Sequence, residues 1–283
     1  MRETRQSNPT APRLDAGRSA ARSATTFHRG REPVTEGTPF NAEDKKWVLS
    51  AEMRWGLGDV CVGLMVALVF AVIVQAIVLK AMGYSTDAKP KDLKLWLIAV
   101  LQVPLWLGLV GAPIMSTRQR GTKSLRRDFA WAFAPIDVVW GLVGGLALQG
   151  LVWLVYQVVN VDECKLSGPA RDLTDKANGL IGVPLLILIT VIGAPVVEEL
   201  FFRGLLLRSL RKRRIPPVLA VILSAVIFSA FHFEGAQFAG LTVVGIGLAT
   251  LALVTGRLGP GIIAHAVFNA VSVITLLNSH KCK

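Results

Sequence analysis

Of the chain's 283 residues, 52% are hydrophobic and only 18% are charged, and the mean hydropathy is +0.51. A soluble domain carries about a quarter charged residues, which excludes a water-soluble globule. The net charge of +12 falls in short blocks between long uncharged stretches, so it is not a nucleic-acid footprint. Three cysteines and no Gly or Pro period exclude disulfide-rich and collagen-like scaffolds. What remains is an all-α, polytopic membrane protein.

In chain order, residues 1–55 come first and differ in kind. They are rich in Arg, Ser, Thr, Pro and Gly, and the first fifty hold nine Lys or Arg against six Asp or Glu. A secretory signal needs an apolar run near the start, and none is present, so this segment reads as a disordered basic cytoplasmic tail. Crossing a hydrocarbon core of about 30 Å takes about 20 apolar helical residues. Seven stretches of about that length lack any Asp, Glu, Lys or Arg: 60–79, 95–117, 138–161, 177–197, 215–233, 235–256 and 258–278. Backbone in lipid must satisfy its own hydrogen bonds, which makes these helices. About seven spans are expected, within a range of six to eight. Residues 56–130 hold the first two, and residues 131–283 form a second membrane unit.

Orientation follows from basic residues in alternate loops. One side, with residues 1–59, Arg118 to Arg127, Arg208 to Arg214 and Arg257, holds 21 Lys or Arg, and the other holds 9. The amino terminus is therefore expected inside and the carboxyl terminus outside, with the basic clusters meeting anionic lipid. Trp55, Trp96 and Trp131 stand at span entrances, where interfacial anchors sit. Cys61 reads as a small packed residue. Cys164 and Cys282 share the outer side, which leaves a disulfide between them open, since sequence gives no distance.

Ionisable groups inside a membrane are costly and mark function. Here they gather late in the chain: Glu198 and Glu199 with Arg203, then Phe228 and His232, then His265 and Asn269. Glu199 and Arg203 are i and i+4 on one helical face, while Glu198 points about 100° away. Arg203 is thus expected to neutralise Glu199 and leave Glu198 without a charge partner, the condition for a general base near neutrality. Read alone, the cluster is an interfacial Glu–Arg pair capping the fourth span. A lone transmembrane His usually packs helices, and Phe228, by residue type, reads as a lipid-facing ring. Two histidines, an amide and a carboxylate, however, supply what is needed to activate water and stabilise an oxyanion. Depth is the obstacle. At 1.5 Å per residue, Glu198 lies about 15 Å above Arg208 and His265 about 12 Å above Arg257, but His232 lies about 22 Å above Pro217.

EExxxR, FxxxH and HxxxN, in this order on successive helices, resemble the CAAX protease and bacteriocin-processing family (CPBP, or Abi) of intramembrane proteases, which includes the type II CAAX prenyl endopeptidase. The similarity covers roughly residues 135–278. It implies an endopeptidase in which Glu198 and His232 activate water. His265 and Asn269 would hold the oxyanion, and Glu199 and Arg203 would support them, with Phe228, at i−4 from His232, as an apolar packing partner on that face. If zinc or another divalent metal is used, His232 and His265 are its nitrogen ligands. The substrate would be a membrane-associated polypeptide within the bilayer, and no nucleic acid is involved. The absence of organelle signals and the Arg-rich tail point to a bacterial plasma membrane. Two other readings stand beside it. One is a non-catalytic scaffold or bacteriocin-immunity protein of the same fold, which a degraded motif would favour. The other is a proton-coupled transporter, for which internal repeats would be expected.

Overall fold

The computed structural model describes residues 53–159 and 163–279; the tail through residue 52 lies outside them. Besides a 3-10 turn at Pro90–Asp92, nine helices run through the described residues: α1 Leu57–Ala81, α2 Leu95–Arg120, α3 Leu125–Phe129, α4 Ile136–Val159, α5 Glu163–Thr174, α6 Gly179–Lys212, α7 Pro217–Ala230, α8 Phe238–Thr255 and α9 Gly259–Asn278. Among the described residues there is no strand. Six of these helices are long and apolar enough to cross a membrane, so the all-α polytopic reading holds. Their outer faces are apolar: α1 exposes Val62, Val66, Val69 and Ile73, one stripe at helical spacing suited to lipid contact.

Two of the seven stretches behave differently from expectation. The fifth, 215–233, contains a helix of only 14 residues, about 21 Å long. The chain completes the distance through the turn after Ala230 and reaches Gln237, whose side chain donates to the Leu166 carbonyl at 2.8 Å. The fourth does not stop at the charges. α6 continues for 34 residues, because Glu199 and Arg203 satisfy each other internally and Leu200, Phe201, Leu205, Leu206 and Leu207 are buried around them. A helix apolar on all sides belongs in the centre of a bundle, and this one has α1, α2, α3, α7 and α8 against it.

Within α6, Ile187–Gly193 and Glu199–Leu206 are π-helical. Such insertions re-aim side chains and recur at functional sites. Helices pair α1 with α2, α4 with α9 and α7 with α8. Without a hydrophobic drive in lipid, close backbone approach through small residues supplies the packing. A Cβ on Gly108 would fall 2.4 Å from the Ala67 Cα, and one on Gly245 would fall 2.9 Å from the Ala225 Cα.

The basic clusters are partly structural. Arg208 is buried and donates to the Asp128 carbonyl at 3.0 Å. Lys212 Nζ donates to the carbonyls of Met53 and Trp55 and lies 4.9 Å from the Trp55 ring. Trp55 is therefore no interfacial anchor: it is fully buried against Phe129, because the chain before α1 is tied to the Arg120 carbonyl by the N–H groups of Arg54 and Trp55. Arg257 pairs with buried Asp137, whose hydrogen bonds raise the guanidinium's pKa further. The described ends lie at opposite ends of the bundle, residues 53–55 with Arg120 and Lys212, Ser279 with Arg171. Cys164 is disulfide-bonded and Cys61 is free; Cys282 lies outside the described residues.

Candidate active site

The two glutamates of α6 part as their helical angles require. Glu199 and Arg203 are fully buried. Arg203 Nη1 donates to Glu199 Oε1 at 2.8 Å, and Nη2 donates to the Gly245 carbonyl at 3.3 Å. A buried charge pair is tolerable only when its remaining groups find partners, and α8 and α9 supply them. From α9, His265 Nδ1 lies 3.1 Å from the same Glu199 Oε1. An ionised carboxylate only accepts, so Nδ1 carries the proton. That bond turns the other ring nitrogen toward Glu198: His265 Nε2 lies 3.8 Å from Glu198 Oε2.

His232 arrives from the turn after α7, just before Phe233 at positive φ. Its own N–H bonds to the Ser229 carbonyl, and its Nδ1 takes the Phe228 carbonyl at 2.9 Å. A carbonyl again only accepts, so Nδ1 donates and Nε2 points outward, 4.0 Å from Glu198 Oε2. The depth obstacle disappears because Arg208 does not mark the boundary. Measured from the turn between α6 and α7, Glu198 is about 21 Å up one helix and His232 about 22 Å up the other.

Phe228 is not lipid-facing. It is fully buried at the centre of the site, its ring 4.4 Å from the Arg203 guanidinium carbon, 4.6 Å from the His232 ring and 6.0 Å from the His265 ring. A cation over a desolvated ring is stabilised by about 2 kcal/mol, which offers the guanidinium a third partner. Asn269 stands one turn beyond His265 and donates from Nδ2 to the Thr190 carbonyl at 2.7 Å, in the first π-helical segment. The structure thus gathers Glu198, His232 and His265 around one point and engages Asn269 with α6.

Residues that pattern reading passed over are Gly245 and Thr190. Both act through their backbone carbonyls, and only their position in an apolar run marked them. Between α6 and α9, a cleft of about 290 Å³ is lined by Val191, Ile192, Val196, Ile263, Ala266 and Val267, beside His265 and Asn269 in sequence.

The donor chemistry at Glu198 is of a kind zinc accepts: two imidazole nitrogens and one carboxylate oxygen. The spacing is not. Ligands on a tetrahedral ion with bonds near 2.1 Å stand about 3.4 Å apart, whereas 3.8 and 4.0 Å separate the oxygen from the nitrogens. Among the described residues no group of three or more His, Cys, Asp or Glu is arranged to hold an ion. These residues do not form a metal site as they stand.

Two carboxylates, two histidines and an arginine on α6, the end of α7, and α9 can be compared with known families. Residues 180–271 match the family model for type II CAAX prenyl endopeptidase Rce1-like proteins. The resemblance drawn from EExxxR, FxxxH and HxxxN therefore holds, and the matched segment contains every site residue named above. No curated protein and no solved structure matches the chain.

Proposed function

We propose that this protein is an intramembrane endopeptidase that hydrolyses a peptide bond in a membrane-associated polypeptide. The observation that carries it is Glu198 Oε2, a buried oxygen with no hydrogen-bond partner that faces the Nε2 atoms of two histidines from a membrane helix. The separations suit a water held at about 2.8 Å from each atom.

In this reading, Glu198 accepts a proton from that water while His232 Nε2 accepts its other hydrogen and sets its direction. The water oxygen bonds to the scissile carbonyl carbon. His265, backed by Glu199 at Nδ1, turns its other ring nitrogen to the developing oxyanion, and Asn269, released from Thr190, adds its amide. The C–N bond then breaks as Glu198 passes the proton to the leaving amine. Arg203 and Phe228 hold Glu199 and the two rings in place. The apolar cleft between α6 and α9 supports a substrate that approaches from lipid. Multi-pass insertion in the plasma membrane, amino terminus inside and carboxyl terminus outside, agrees with the described ends lying at opposite ends of the bundle.

The test compares new protein amino termini in cells carrying wild-type or Glu198→Ala protein at matched expression. Cleavage sites that vanish with Glu198 are expected and would name the substrates. Identical termini, with both proteins inserted, would overturn the reading in favour of a non-catalytic scaffold of the same fold.

A further inference from the structure

Glu199 has one oxygen that Arg203 and His265 share and a second, Oε2, that is buried without a hydrogen-bond partner. Gly261 of α9 stands against that second oxygen. A Cβ there would lie 3.1 Å from Glu199 Oε2, 3.8 Å from its Cδ and 3.8 Å from the Leu248 carbonyl oxygen. Gly261 is also i−4 from His265, on the same face of α9 and one turn below it. Its φ is unremarkable, so the requirement is for space.

We propose that Gly261 is a positioning residue: its missing side chain lets α9 come close enough for His265 Nδ1 to reach Glu199, and so aims Nε2 at Glu198. The inference rests on the endopeptidase reading for its kinetic consequence, and on geometry alone for the pairing. A contact of 3.1 Å is tighter than side chains ordinarily make, so something must move when a methyl is added. Glu199 cannot rotate away, because its carboxylate is planar: moving Oε2 also moves Oε1 off Arg203 and His265. The alternative is that α9 recedes by a few tenths of an ångström and carries His265 with it. Gly245 presents a different case. A Cβ there would strike the Ala225 Cα at 2.9 Å and Cβ at 2.8 Å, so Gly245→Ala is expected to separate α7 from α8.

The experiment takes the full-length protein in liposomes as wild type, Gly261→Ala, Glu199→Asp and the double variant. It reads cleavage kinetics together with the nitrogen-15 resonances of labelled histidines. Gly261→Ala is expected to shift the His265 Nδ1 resonance and leave that of His232 in place. It should lower kcat by about threefold to tenfold, in keeping with a shift of a few tenths of the ångström that costs about 10²-fold, with KM changed less than about twofold. Glu199→Asp withdraws the carboxylate by one methylene and vacates the space a methyl needs, so adding Gly261→Ala to it should cost little further. If Gly261→Ala does not fold, restoration of folding by Glu199→Asp is the expected result. An unmoved His265 resonance, or double-variant losses equal to the product of the single ones, would overturn the inference. So would a double variant that fails to fold. A wild type that cleaves nothing, paired with a shifted His265 resonance in Gly261→Ala, would overturn the endopeptidase reading and leave the pairing intact.

Discussion

Glu198 and Glu199 are adjacent in sequence and opposite in circumstance. Glu199 is sealed: no part of its side chain reaches solvent, and Arg203, His265 and the wall at Gly261 surround it. Glu198 keeps 16% of its side chain exposed and faces two imidazole nitrogens just beyond hydrogen-bond length. One carboxylate holds helices together, while the other is left with something to do. The lesson is that a charge cluster in a membrane divides by helical angle. Groups on the inner face neutralise one another, and their stable pairing is what positions the groups that remain open.

The sharpest way to break this contrast is Glu198→Gln. It keeps shape and removes the proposed base, so cleavage should fall by about 10²–10⁴-fold while the unfolding temperature in detergent stays within a degree or two of wild type. A stability loss instead would place Glu198 among the structural groups. Arg203→Met should do the reverse. It leaves a buried carboxylate without its partner, which costs about 3–5 kcal/mol, and the loss should appear as a lowered denaturation midpoint whether or not cleavage is measured. Phe228→Leu should have a smaller effect of about 1–2 kcal/mol, from the lost ring face under Arg203 and the looser packing of both histidines. A double-mutant cycle with Arg203→Lys measures that coupling. The smallest effect is expected from a strong chelator, which should leave cleavage unchanged. Activity lost on chelation and restored by zinc would show that His232, His265 and Glu198 close around an ion when one is supplied.

Much of the site was legible beforehand because membrane burial makes polar residues conspicuous. Seven apolar stretches without a formal charge leave Glu198, Glu199, Arg203, His232, His265 and Asn269 with few places to be, and the i,i+4 rule alone separates the two glutamates. Phe228 was legible as a packing partner of His232, four residues before it on one helical face, but not as the ring beneath Arg203. In a chain with this many apolar side chains, nothing in the residue itself tells a lipid-facing ring from one that supports a guanidinium. The depth of His232 was misjudged for a related reason. Arg208 looked like a membrane boundary because arginines usually are one, whereas here it is buried on the Asp128 carbonyl, and α6 runs on to Lys212.

By itself, then, the sequence determined that the chain is a helical membrane protein, which helices carry polar groups, and which of two neighbouring carboxylates is neutralised. These follow from hydropathy and from the fixed pitch of a helix, both of which are local. Tertiary structure alone decided that His232 and His265 meet at Glu198, that Asn269 rests on Thr190, that Trp55 is core and that Gly261 lies against Glu199. Those depend on where separate helices begin relative to one another and how closely their backbones approach, and neither quantity is encoded within any single span.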